Sequence, residues 1–114
     1  MKEKFSITKE QLKAVPFKET GSSMTDFCRE INRVVNNENM ELFDMKQCLA
    51  WFDEKGYLVA TGDTAKPTEF GLANGIRLDY RNNEQRGDYV INLYDTTLQQ
   101  LILDNIDEIL KCKY

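Results

Sequence analysis

The stretch RLDYRNNEQRGDYVINLY, residues 77–94, contains two alternating runs separated by a polar tip that includes a glycine. The apolar positions recur at every second residue: Ile76, just before the stretch, begins the first run with Leu78 and Tyr80, and the second run has Tyr89, Ile91 and Leu93. Successive side chains of a strand point to opposite faces, so this alternation is typical of half-buried strands. Two such runs joined by a short polar segment with glycine predict an antiparallel β-hairpin.

Amphipathic stretches that predict helices precede this hairpin, over residues 8–16, 22–36 and 44–56. Each begins with a residue whose side chain can cap a helix, and these are Thr8, Ser22 or Ser23, and Asp44. The stretches end at residues that stop or disfavour helix, namely Pro16, Asn36-Asn37 and Gly56. The second stretch shows the most continuous apolar face, with the spacing of an α-helix.

The rest of the chain alternates short elements with turns. Residues 57–61, YLVAT, have the composition of a strand, and 62–67 read as a turn-rich irregular loop. Thr68 caps a helical segment of one or two turns that Asn74-Gly75 closes. Asp95 begins a long amphipathic helix that reaches residue 111. The sequence predicts one α+β domain over residues 1–114, winged helix-like, with helices, a small antiparallel sheet and a C-terminal amphipathic helix.

Two motifs carry a resemblance to known families. MKQCLAWFDEKGYL followed by KPTEFGLANGI is similar to the helix–strand–wing passage of winged-helix domains in phage antirepressors, which show "L…GYL" and "PT-x-x-G". The matching residues are Leu49, Gly56, Tyr57, Leu58, Pro67, Thr68 and Gly71. The segment "RG-x-Y-x-x-x-LY", residues 86–94, resembles a family of small uncharacterised bacterial proteins. The first resemblance implies a winged helix-turn-helix, DNA binding or transcriptional regulation, and a phage or mobile-element origin.

Several polar residues are candidates for nucleic-acid contact. The hairpin carries Arg77, Arg81 and Arg86 with Asn82, Asn83 and Gln85, which can donate to phosphates and base edges. Lys46, Gln47, Ala50 and Lys55 would form the outer face of a recognition helix. The N-terminal lysines, Lys2, Lys4, Lys9, Lys13 and Lys18, would complete a phosphate-binding surface if they fold beside the hairpin.

Each of these candidates has a simpler interpretation. Asp79, Glu84 and Asp88 balance the three arginines of the hairpin, so a neutral, self-paired loop is the alternative there. The lysines of the helix and of the N-terminal region are equally typical of solvated surfaces that favour solubility.

The composition narrows the classes of function. The chain is 41% hydrophobic and 30% charged, as in soluble globular domains. It has no histidine, and its cysteines, Cys28, Cys48 and Cys112, are too widely spaced for a zinc motif. Neither a catalytic constellation nor a cofactor motif is recognisable, so we expect no enzyme activity, no metal and no cofactor. An apolar leader and a membrane-spanning run are also missing from the sequence, which favours a cytoplasmic protein without membrane contact.

Two functions remain open from the sequence. The first is a winged-helix protein that binds duplex DNA or regulates transcription. The second is an acidic adaptor or inhibitor that binds a basic protein, for instance a nucleic-acid-processing enzyme such as a defence nuclease. The order of amphipathic helices followed by a hairpin favours the first function, which is the one we expect, whereas the net charge of −4 and the acidic surplus of residues 21–60 favour the second as the alternative. The apolar stripe of residues 96–111 either packs on its own chain or forms a homodimer surface.

Overall fold

A computed structural model describes residues 2–61 and 64–112 of the chain. The elements follow in the order α1 (Lys9–Ala14), α2 (Met24–Val35), α3 (Met45–Glu54), β1 (Leu58–Thr61), β2 (Thr64–Pro67), α4 (Glu69–Ala73), β3 (Ile76–Asn83), β4 (Gly87–Tyr94), α5 (Thr96–Asp104) and α6 (Ile106–Ile109). Each of the two strand pairs, β1–β2 and β3–β4, is an antiparallel two-stranded sheet. The fold is α+β and compatible with the expected winged helix-like arrangement.

Local capping interactions set the starts of the helices. The residues whose side chains accept the capping hydrogen bond are Thr8, Ser23, Asp44, Thr68 and Asp95, as the sequence predicted. Asn36 ends α2 in the left-handed conformation, with φ of 45°. Each of these interactions joins atoms only a few residues apart, which is why the sequence predicts them well.

The hairpin of β3 and β4 is confirmed, with Arg81 opposite Tyr89 and Tyr80 opposite Val90. The turn over residues 84–86 is stabilised by the Gln85 backbone N–H, which donates to Asn83 Oδ1 at 2.8 Å. Gly87 follows with φ of +72°, the left-handed position that a three-residue hairpin connection requires.

The core lies between the helices and the base of the hairpin. Fully buried side chains from α2, α3 and α5 meet there, with Ile109 of α6 and Leu58 of β1, and Tyr94 closes the base of the hairpin. α3 occupies the centre, since it contributes Cys48, Trp51 and Phe52 to the buried cluster.

Two sequence-based expectations were wrong. Residues 64–67 do not form part of an irregular loop; they form β2, which pairs with β1. The alternation there covers only a few residues, too few for a pattern to be recognised, and the remainder of the expected loop, Gly62 and Asp63, lies outside the described residues.

The last helix is also not continuous. Asn105 separates α5 from α6, and its side-chain Nδ2 donates to the Leu101 carbonyl at 2.9 Å. An asparagine side chain that bonds to the backbone in this way competes with regular helix geometry. After the break, Ile106 and Ile109 of α6 are buried, and α6 lies against α3.

Candidate interaction surfaces

The distal part of the β3–β4 hairpin, residues 80–90, projects from the body of the protein, and we call it the arm. Every residue of the arm is exposed except Tyr89, which is half-buried. In contrast, Ile76, Leu93 and Tyr94 at the base of the hairpin are buried. The packed layers of the core therefore cover only the base of the hairpin.

The strand register distributes the hairpin side chains over two faces. Because Ile76 pairs with Tyr94 and Tyr80 with Val90, these residues share one face, which we call the Tyr80 face. Tyr89, Ile91 and Leu93 lie on the opposite face with the arginines of β3, and we call this the Arg81 face. The two apolar rows seen in the sequence thus point in opposite directions.

The Tyr80 face of the arm exposes an apolar pair. Tyr80 is 77% exposed and its cross-strand neighbour Val90 is 47% exposed. Nearer the base, Asn92 Nδ2 donates to the Ala65 carbonyl at 2.8 Å, which joins this face to β2. The sequence pattern gave no signal of the exposure of Tyr80, because alternation looks the same whether or not another layer covers the strand.

Several charged groups of the arm have partners within the hairpin. Arg81 Nε donates to Asp79 Oδ2 at 2.7 Å, and this hydrogen bond raises the pKa of Arg81. Asn82 Nδ2 donates to Asp88 Oδ1 at 2.6 Å. The guanidinium of Arg86 lies over the ring of Tyr89, 4.4 Å from its centroid. These contacts are those of a self-paired hairpin.

The three arginines are not gathered into one cluster. Arg77 lies at the base of the hairpin, where its guanidinium donates to the Thr20 carbonyl. Arg81 shares the face of Arg77 further along β3, and Arg86 is in the turn.

The C-terminal segment contacts part of the expected outer face of α3. Gln47 Nε2 donates to the carbonyls of Leu110 and Cys112, at 3.0 and 3.4 Å. Just beyond the helix, Lys55 Nζ lies 3.2 Å from Glu108 Oε1, and its hydrogen bond lowers the pKa of that carboxyl group. α6 and the residues after it therefore lie against part of the side of α3 that would face a DNA groove.

Little of α3 remains exposed. Within the helix the exposed residues are Lys46, Asp53 and Glu54, while Ala50 is half-buried. Two of the three are acidic, which is unfavourable next to phosphate groups.

The N-terminal lysines do not gather beside the arm. Glu3 pairs with the chain around Met40, which places Lys2 and Lys4 near the linker between α2 and α3. Lys9 and Lys13 belong to α1 and line a shallow depression together with Asp104. Lys18 lies 3.7 Å from Asp26 of α2. The positive charge of this region is spread over the body of the protein.

The apolar stripe of residues 96–111 packs on its own chain. Its buried members are Leu98, Ile102, Leu103, Ile106 and Ile109, and Leu101 and Leu110 pack against the same core. A homodimer through this segment would therefore have to use its polar side.

The described residues contain two cysteines in contact. Cys28 Sγ and Cys48 Sγ are 3.9 Å apart in the core, and burial raises the pKa of the Cys48 thiol well above its usual value. Within residues 2–61 and 64–112, no group of three or more His, Cys, Asp or Glu side chains is arranged to hold a metal ion. Nor does any helix in those ranges combine the length and apolarity needed to cross a membrane.

No protein-family model, curated protein or solved structure matches this chain. The resemblance to winged-helix domains therefore stays a prediction.

Proposed function

We propose that the protein is a non-catalytic protein-binding module, an acidic adaptor or inhibitor that docks through the Tyr80 face of its arm onto a basic partner protein. A nucleic-acid-processing enzyme, such as a defence nuclease, has a surface of the required charge. The observation that carries the proposal is the exposure of Tyr80 and Val90, side by side, on an arm that the core does not cover.

The chemistry of the arm suits a protein partner. Tyrosine is enriched among the residues that contribute most binding energy at protein interfaces, because it buries a large rigid ring with one polar atom. Two polar contacts already satisfy charged groups beside this face: Arg81 donates to Asp79, and Asp88 accepts from Asn82. A partner can therefore cover these groups without leaving them unpaired.

The overall charge supports a basic partner. The chain has 19 acidic and 15 basic residues, for a net charge of −4. A net negative charge accelerates encounter with a positive surface and slows encounter with nucleic acid. An origin in a phage or mobile element, which the sequence resemblance implies, fits the inhibitor form of this proposal.

A photo-crosslinking residue placed at Tyr80 tests the proposal. The matched control carries the same residue at Val59, which is 54% exposed on β1. In cells that contain the natural partner, we expect a crosslinked protein at Tyr80 and none at Val59. Equal crosslinking at both positions, or at neither, would contradict docking through the arm.

DNA binding is the second candidate function, favoured by one observation: Arg77 and Arg81 lie on the same face of β3, with Arg86 in the adjoining turn. In this candidate the arm contacts the phosphate backbone, in the manner of a wing, while α3 contributes Lys46. Lys55 and Gln47, now bonded to the C-terminal segment, would take part only after α6 moved away.

Fluorescence anisotropy of labelled duplex DNA distinguishes the two candidates. Phosphate contacts from the three arginines contribute about −2.7 to the slope of log K against log salt, and alanine at all three removes this contribution. If no binding is detected even at low salt, the DNA candidate fails. Binding that keeps its affinity in the triple variant would exclude the arm as its site.

A further inference from the structure

The outer edge of β4 is an open strand edge. Tyr94 exchanges both of its main-chain hydrogen bonds with Ser22, since Ser22 N donates to Tyr94 O at 3.0 Å and Tyr94 N to Ser22 O at 2.8 Å. In an antiparallel strand the main-chain groups point alternately to the two sides. The N–H and C=O groups of Asn92, Val90 and Asp88 therefore point to the same outer side as those of Tyr94.

Nothing in the described part of the chain continues the pairing beyond Ser22. The contact of β2 with the hairpin, from Asn92 Nδ2 to Ala65 O, involves a side chain on the Tyr80 face, and α2 also contacts β4, so that Asn92 is half-buried. Asp88 and Val90 are exposed. Unpaired edges of this kind are templates for pairing with another strand.

We propose that the occupant of this edge is a second copy of the same chain, with the two β4 strands antiparallel and Val90 on the two-fold axis. When two copies of a strand pair antiparallel about a two-fold axis, the residue numbers of any two opposed residues add up to the same value. Centring on Val90 sets Val90 opposite itself, Tyr89 opposite Ile91, and Asp88 opposite Asn92.

This register is self-complementary in chemistry. The valines and the Tyr89–Ile91 pairs are apolar contacts, which are favourable between neighbouring strands. Asp88 lies opposite Asn92, whose side chain is an uncharged amide, so no like charges face each other across the interface. The main-chain N–H and C=O groups of Asp88, Val90 and Asn92 point away from β3. In this register each of these residues lies opposite another one of the three, as main-chain hydrogen bonding between the copies requires.

The neighbouring registers fit less well. Centring on Tyr89 sets the carboxylate of Asp88 against the apolar side chain of Val90. Centring on Ile91 sets Asp88 against Tyr94, whose main chain is already paired with Ser22. The sequence of β4 thus selects Val90 as the axis.

The dimer also changes the surface that the arm presents. The two hairpins become one four-stranded antiparallel sheet in the order β3–β4–β4–β3, which is more stable than an isolated two-stranded ribbon. Tyr80 and Val90 of both copies then lie on one face, because the axis runs perpendicular to the sheet. This inference goes beyond the proposed function and does not depend on it.

The association state in solution tests the dimer. By light scattering after size exclusion we expect the mass to approach twice 13.3 kDa as concentration rises. Val90→Glu and Val90→Lys, each alone, set like charges opposite each other and weaken self-association roughly tenfold or more. An equimolar mixture of the two variants restores the dimer, since glutamate then faces lysine. Val59→Glu, the matched control on β1, leaves dimerisation unchanged.

Several results would contradict a dimer centred on Val90. A wild-type chain that stays monomeric at its highest soluble concentration overturns it, as does a dimer that either Val90 variant retains at full strength. A dimer lost in both variants but not restored in their mixture overturns the centring on Val90. Circular dichroism of each variant verifies the fold. Failure of Tyr80 crosslinking to a different protein would leave these results unaffected, so the two proposals can fail separately.

Discussion

Replacing Gln99 with leucine removes a polar side chain that joins three parts of the fold. Gln99 lies in α5 and is 0% exposed. Its Oε1 accepts from Lys18 N at 2.9 Å, while its Nε2 donates to Lys18 O at 3.0 Å and to Tyr94 O at 2.8 Å. One side chain thus connects the segment before α2 with the end of β4.

The expected cost follows from these bonds. Each net hydrogen bond contributes about 1 kcal/mol, so the loss of all three gives about 3 kcal/mol of destabilisation. Leucine has nearly the volume of glutamine and adds apolar contact, which offsets a small part of this loss. The Lys18 backbone groups lie at the edge of the core, where water can reach them after the change, so the cost stays near this value.

Urea denaturation followed by circular dichroism measures the effect. We expect a lower midpoint with an unchanged dependence on urea, because the surface exposed on unfolding stays the same. The matched control is Gln100→Leu, since Gln100 is the next residue, is exposed and bonds only to Asp104, at 2.8 Å. This control should change stability by no more than about 0.5 kcal/mol.

Two results would refute the reasoning. A change of less than about 1 kcal/mol in Gln99→Leu would mean that the three bonds contribute little beyond what leucine provides. An equal loss in Gln100→Leu would mean that apolar substitution anywhere on α5, rather than the buried network, causes the effect.

Two further predictions concern backbone conformation and alkaline pH. Gly75→Ala should destabilise the fold by about 3 kcal/mol, combining a strained backbone with a clash, whereas Gly56→Ala should cost about 1 kcal/mol in the same urea assay. Gly75 has φ of +121°, and a Cβ added there would lie 2.7 Å from Asp95 Oδ1. Gly56, with φ of +89°, has open space around it. Similar losses of stability in the two variants would contradict this account. Burial raises the pKa of the Tyr94 phenol above its ordinary value of 10.0. The unfolded chain therefore loses this proton first, and stability should fall as pH rises above about 10, by up to about 1.4 kcal/mol per pH unit. Tyr94→Phe should flatten this decline in thermal unfolding measured from pH 8 to 11, and an unchanged decline would exclude Tyr94 as its source.

The exposure of the candidate site residues was harder to predict from the sequence than the positions of helices and strands. Gln47 and Lys55 fall on the side of α3 away from its apolar stripe, which predicts exposure, yet both contact the C-terminal segment. The contacts come from residues of α6 and the segment after it, which follow the break at Asn105. Residues far away along the chain thus cover part of α3.

Gln99 shows the same limitation in the core. Its polar side chain lies beside the apolar stripe of the last helix, so the pattern gives no reason to expect complete burial. Its partners, Lys18 and Tyr94, come from two other parts of the chain. Only the assembled fold brings a donor and two acceptors to the same place.

The sequence by itself determined the local structure. Capping residues such as Ser23 and Asp95 accept their hydrogen bonds from residues three positions away, and Gly87 supplies the left-handed turn between two alternating strands. These interactions are complete within a short segment, so they can be read along the chain. Tertiary structure alone decided exposure: Tyr80 is open to solvent and Tyr94 is buried although both lie on the same face of one hairpin. Burial of a strand residue depends on which other part of the chain packs against that face. The sequence of the strand alone does not show which part this is.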